Sequence, residues 1–112
     1  MDFANTGKGR YFVYDTKNLS KIKALDANAP EAMKAFWAFD KAAMAAGAIS
    51  SKNKELIALA VAFTTQCPYC IEIHAKRARE GQATEQEIAE VVAVAAALRA
   101  GGAITHGTHA MV

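Results

Sequence analysis

Two cysteines separated by two residues, Cys67-Pro68-Tyr69-Cys70, are the part of this sequence best suited to chemistry. Pro68 is tolerated best in the first turn of a helix, where its missing N–H has no intrahelical partner to lose. Cys67 therefore falls at a helix start, where unpaired backbone N–H groups and the positive end of the helix dipole stabilise a thiolate. Cys70, one turn further on the same side, is close enough to form a disulfide with it, so the pair can cycle between dithiol and disulfide. His74 follows four residues later on the same face and can exchange a proton with the Cys70 sulfur, directly or through water.

Glu55 joins this group only if the chain turns back on itself. A continuous helix would place it twelve residues from Cys67, about 18 Å away at ~1.5 Å per residue. An antiparallel hairpin broken near Thr65 and Gln66 would instead bring Glu55 and His74 to similar depth, and the carboxylate could then orient the imidazole in a proton relay. Otherwise Glu55 is an acid favoured by the positive start of its own helix and nothing more. Tyr69, between the cysteines, fits packing as well as chemistry.

Other uses of these residues compete. Two cysteines on an apolar helix can be inert core residues, and a single histidine can be a buried, satisfied one. Cys67-x-x-Cys70 with His106-x-x-His109 also offers four zinc-type ligands. The two histidines are closer than the usual zinc-finger spacing of three to five residues, and a long helical stretch separates the two pairs. His106 and His109 are therefore read as tail or interface residues, with a zinc-stabilised or redox-sensing interaction module as the non-enzymatic alternative.

The elements that must position these groups are helices. Pro30 stands where a first helical residue belongs, and Met33, Phe36, Trp37 and Met44 recur at helical spacing until Gly47 offers a stop. Ser50 or Ser51 can cap the next helix, whose body from Leu56 to Phe63 is apolar all round and should be buried. The helix after Cys67 ends at Gly81. Its charges Glu72, Lys76 and Glu80 form a solvated face, and its inner face holds Cys67, Cys70, Ile71, His74, Ala75 and Ala78. Thr84 and Glu87 form a capping box for a last long helix with a stripe of Ile88, Val91, Val92, Ala95 and Leu98, ending at Gly101-Gly102. Residues 1–26, with Phe3, Tyr11, Phe12 and Tyr14 among polar residues and one short helix near Leu19 to Leu25, read as an arm. Residues 27–112 read as the single helical domain.

Composition bounds the rest. The chain has 112 residues, 53% of them hydrophobic but only 8% aromatic, so small helix-favouring residues are many and bulky core fillers few. That favours an all-α fold, and apolar residues on more than one helix face imply cover by partner subunits. Thirteen basic and eleven acidic residues are interspersed, which gives no basic stripe for nucleic acid. The longest apolar run, Leu56 to Phe63, falls far short of the ~20 residues of a membrane span. Asp2, Asn5, Lys8 and Arg10 give the N-terminus no secretory signal, so a cytoplasmic protein is expected. In that compartment a paired cysteine motif is more often catalytic or metal-binding than a structural staple. No Gly-rich phosphate loop or redox-cofactor motif is present, so no cofactor or resident metal is expected.

Glu55, eleven residues, Cys67-Pro68-Tyr69-Cys70, three residues and His74 together resemble the signature of the alkylhydroperoxidase D-like branch of the carboxymuconolactone decarboxylase family. The likeness runs from about Pro30 to Ala110 and includes the Leu-Ile-Ala-Leu-Ala-Val run before the motif and Gly81 after it. It implies an all-helical bundle in a single repeat, assembled as trimers or hexamers. It also implies reduction of hydroperoxides by Cys67 and Cys70 with Glu55 and His74 as proton relay, reset by a dithiol donor and without a cofactor. The best-known peroxidase of the family looks like a fused two-repeat chain with His between its cysteines, where this chain has Tyr69. The decarboxylase branch lacks the cysteine pair, so Cys67 and Cys70 argue against lactone decarboxylation; the alternative activity is a decarboxylase or related lactone-processing one that uses Glu55 and His74 and merely carries the cysteines. Glutaredoxins share Cys-Pro-Tyr-Cys, but there the motif follows a β-strand, whereas here the preceding segment is Ala-rich and helical.

Overall fold

A computed structural model describes residues 13–112, all of whose regular elements are helical. The aromatic residues Phe3, Tyr11 and Phe12 and the charges before them lie outside the described residues. The chain divides into two units, Met1–Phe39 and Asp40–Val112.

In the first unit a 3-10 turn, Thr16–Lys21, leads into α1, Ile22–Asn28, where a short helix near Leu19 to Leu25 is expected. Asp15 starts the turn, its side chain accepting from the Lys17 N–H at 2.9 Å. Ala29 leaves the helical region at φ −137° because Pro30 crowds an α conformation in the residue before it. Pro30 then opens α2, Pro30–Met44, as its sequence position predicts. The Trp37 indole N–H donates to Asp26 at 2.8 Å and ties α2 to α1.

The second unit is built around α3, Ser51–Thr65, which packs against both α4, Pro68–Glu80, and α5, Glu85–Gly107. Ser50 caps α3 by accepting from the Asn53 N–H. Thr84 and Glu87 form the reciprocal capping box of α5, with bonds of 3.1 and 2.9 Å. Lys52 at the start of α3 pairs with Glu87 at 2.9 Å, so the first turns of α3 and α5 are tied together. The Lys54 ammonium donates to the carbonyls of Ala43 and Ala45, satisfying acceptors left over at the end of α2. Leu59, Ala62 and Ala78 are almost fully buried where α3 meets its neighbours.

Three expectations need correction. The α3 body is not buried all round: Leu59 is 0% exposed, but Ile57 and Val61 are 50% and 55% exposed, because α4 and α5 cover only part of the helix circumference. The α5 stripe is covered at Ala95 but emerges at Val92 and Leu98, the latter 68% exposed. Gly101 and Gly102 do not end α5, which continues to Gly107. A glycine costs about 1 kcal/mol against alanine inside a helix, but it stops one only when a left-handed cap competes with the helical ladder. Here Thr105 donates back to the Gly101 and Gly102 carbonyls, and the ladder runs on.

The longest apolar helix is the last one, not the one that holds Leu56 to Phe63. Glu85–Ala110, with mean hydropathy 1.6 over its most apolar window, has the length and composition of a membrane-crossing helix, a property that core helices of soluble proteins share. Only 6% of that window is buried within the chain.

Candidate active site

The turn between α3 and α4 sets the site. Gln66 closes α3 in the left-handed region at φ 57°, and the Cys67 N–H donates back to the Ala62 carbonyl at 3.1 Å. Cys67, extended because it precedes proline, is the N-cap of α4 with Pro68 in the first turn, as the spacing predicts. Its sulfur accepts from the Cys70 N–H at 3.3 Å, taking the position a serine or aspartate oxygen fills in a common cap.

Both cysteines are free thiols and half-buried. Hydrogen bonding from the Cys70 side chain, and then from the Cys70 and Tyr69 backbone N–H groups, holds the Cys67 thiol below its ordinary value of 9.0. The same side-chain hydrogen bond, with burial and the nearby Cys67 charge, pushes Cys70 up to about 11. The pair therefore gives up its first proton early and its second late, with the hydrogen bonds directed at the Cys67 sulfur.

The hairpin condition for Glu55 is met. Glu55 on α3 and His74 on α4, nineteen residues apart, approach to 2.6 Å between Oε2 and Nδ1. Their side chains are 11% and 17% exposed. An ionised carboxylate only accepts, so against it Nδ1 is the donor and Nε2 is the ring nitrogen left outside this contact. Glu55 is the one buried charged residue among those described, and its partner is this imidazole. The structure thus gathers Glu55 and His74 across the hairpin, with Cys67 and Cys70 at the start of the same helix that carries His74.

It does not gather the four zinc-type ligands. Among the described residues no three His, Cys, Asp or Glu side chains converge on one point, and His106 and His109 lie at and just beyond the C-terminal end of α5. Two features escaped pattern reading. One is the Lys52–Glu87 tie, which holds the Glu87 carboxyl below its usual range through Lys52 and the Thr84 backbone; Glu87 was legible only as a cap. The other is a recess of about 200 Å³ beside the Cys67 turn, lined by Phe63, Thr64, Gln66, Val92 and Arg99. No single element encodes it.

The class defined by fold and site is an all-helical unit with a dithiol at one helix start and a buried carboxylate–imidazole pair between that helix and the one before it. The sequence profile of the carboxymuconolactone decarboxylase family matches residues 30–112, and the chain belongs to that family. An uncharacterised protein of the Paracoccus denitrificans cox locus is 49% identical over 77 residues, 69% of each chain. An uncharacterised protein of Cupriavidus necator is 39% identical over 71 residues, 63% of each chain. The apo crystal structure of a carboxymuconolactone decarboxylase family protein from Legionella pneumophila superposes with a TM-score of 0.70 at 36% identity, covering 74% of this chain and 75% of that one. A protein from Methanobacterium thermoautotrophicum superposes equally well at 35% identity, covering 74% of this chain and 93% of that one.

Proposed function

We propose that this protein is a cofactor-free thiol-disulfide oxidoreductase that reduces hydroperoxides through Cys67 and Cys70, with Glu55 and His74 as its proton relay. The observation that carries this reading is the 2.6 Å Glu55–His74 contact on the helix that also begins with the lowered Cys67 thiol. The Cys67 thiolate attacks the terminal peroxide oxygen, the O–O bond breaks, and the departing alkoxide takes a proton from the imidazole to leave as an alcohol. Cys67 is then a sulfenic acid. The Cys70 sulfur attacks it, a disulfide forms, and the hydroxyl leaves as water with a proton returned through His74. An external dithiol donates two electrons and two protons to restore both thiols. Glu55 keeps His74 in one tautomer and orientation throughout. Residues 27–112 carry this chemistry, residues 1–26 are an arm outside it, and a reducing cytoplasm suits the free pair.

The working form is a homo-oligomer, a trimer or a hexamer. Ile57 and Val61 on α3 and Val94, Leu98 and Ile104 on α5 are each at least half exposed, an apolar area that further copies of the chain would cover. Light scattering at micromolar concentration should give a mass several times that of one chain, and a monodisperse monomer would remove this part of the proposal.

The deciding experiment is peroxide consumption by the reduced protein with and without a panel of dithiol donors. One peroxide should be consumed for each Cys67–Cys70 pair lost in a single turnover, and catalytic consumption should appear only with a donor. Peroxide loss that survives in Cys67→Ser would end this assignment. A family activity that needs Glu55 and His74 but not the cysteines, such as lactone decarboxylation, would persist in that variant.

A further inference from the structure

At the end of α5, remote from the dithiol, His106 closes the last helical turn and His109 lies in the 3-10 turn Thr108–Ala110. Their ring centroids are 5.6 Å apart and their planes are inclined by 32°. Two imidazoles bound to one tetrahedral ion through metal–nitrogen bonds of about 2.0–2.1 Å have ring centroids roughly 5 Å apart. The observed spacing is close to that, and small side-chain rotations on an exposed turn cover the difference. Among the described residues neither imidazole is engaged in a side-chain hydrogen bond or ion pair, so no existing contact must be broken to bind an ion.

The surroundings favour a cation. The pair sits at the C-terminal, negative end of a 23-residue helix. The nearest positive side chain on that helix, Arg99, shares a surface recess with His106. It lies seven residues back, roughly 10 Å along the axis, and is the one Lys or Arg on α5.

We propose that His106 and His109 form a bidentate site for a borderline divalent transition-metal ion, of the nickel, copper(II) or zinc kind. Imidazole nitrogens suit these ions, and two of them fill part of a coordination sphere that water, or the same pair from a second copy of the chain, completes. Bound there, the ion would join the last turn of α5 to the turn that follows it. The site is independent of the dithiol reaction.

The probe is nickel(II), titrated calorimetrically into the full-length chain carrying Cys67→Ser and Cys70→Ser, which removes the competing thiolates. One ion per chain, or one per two chains where two copies share it, supports the site. His106→Ala and His109→Ala, each checked for retained helix by circular dichroism, should both weaken binding by about tenfold or more, since each leaves a single imidazole. Nickel should raise the thermal midpoint of the parent chain and leave that of both histidine variants unchanged. Weakening of less than tenfold in either variant, or nickel binding by the wild-type chain that vanishes in the Cys67→Ser/Cys70→Ser chain, would overturn the proposal.

Discussion

Glu55→Gln tests the relay most directly, because the substitution keeps the side-chain shape and removes its charge. In the wild-type chain Oε2 lies 2.6 Å from Nδ1 of His74, with both side chains more than four-fifths out of water. A hydrogen bond with a charged partner contributes about 1.5–3 kcal/mol net, and a neutral one about 1 kcal/mol. Glutamine still offers one acceptor oxygen, so the difference, roughly 1 kcal/mol, is the expected loss of stability. For a domain of this size that lowers the thermal midpoint by about 4–8 °C and leaves the fold intact. Turnover should fall much further, by about the 10²-fold of a lost acid–base component, since the imidazole is no longer held in one tautomer. Peroxide-dependent turnover and thermal unfolding measured on the same preparation separate the two effects. Turnover within twofold of wild type in a folded, assembled variant would refute the role assigned to Glu55 and leave the chemistry to Cys67, Cys70 and His74.

Iodoacetamide should label Cys67 at neutral pH and Cys70 only as the pH approaches 11, because the first is held below 9.0 and the second pushed up to about 11. Equal rates for both thiols across the range, by peptide mass spectrometry, would contradict this. The reduced chain, relative to its Cys67→Ser/Cys70→Ser form, should gain stability as the pH rises through the lowered Cys67 value towards 9.0. It should lose stability between 9.0 and about 11, where the unfolded chain ionises at Cys70 and the folded one does not. Gly102→Ala should stabilise the chain by about 1 kcal/mol in chemical denaturation, since a Cβ there meets nothing within 4 Å in the helix interior. A loss of stability or of assembly instead would reveal a second chain pressed against that position.

What the sequence determined by itself are the features that depend on a few neighbouring residues. The caps at Ser50 and at Thr84 with Glu87, the helix starts at Pro30 and Pro68, and the place of Cys67 at a helix start all follow from bonds closed within four residues. The order of Cys67, Cys70 and His74 along one helix and its cap was legible for the same reason. Local pattern failed at Gly101-Gly102, where low propensity is outweighed by the continuing ladder and the Thr105 bonds. Tertiary structure decided whether Glu55 belongs to the group. Helical periodicity gives α3 an apolar girdle but not which side meets α4, so a buried carboxylate and a surface acid look alike until the hairpin closes across nineteen residues. It likewise decided that Leu59 is enclosed while Ile57 and Val61 stay exposed, and that Phe63, Gln66 and Arg99 meet around one recess. These are long-range outcomes, set by how two neighbouring helices share the circumference of a third.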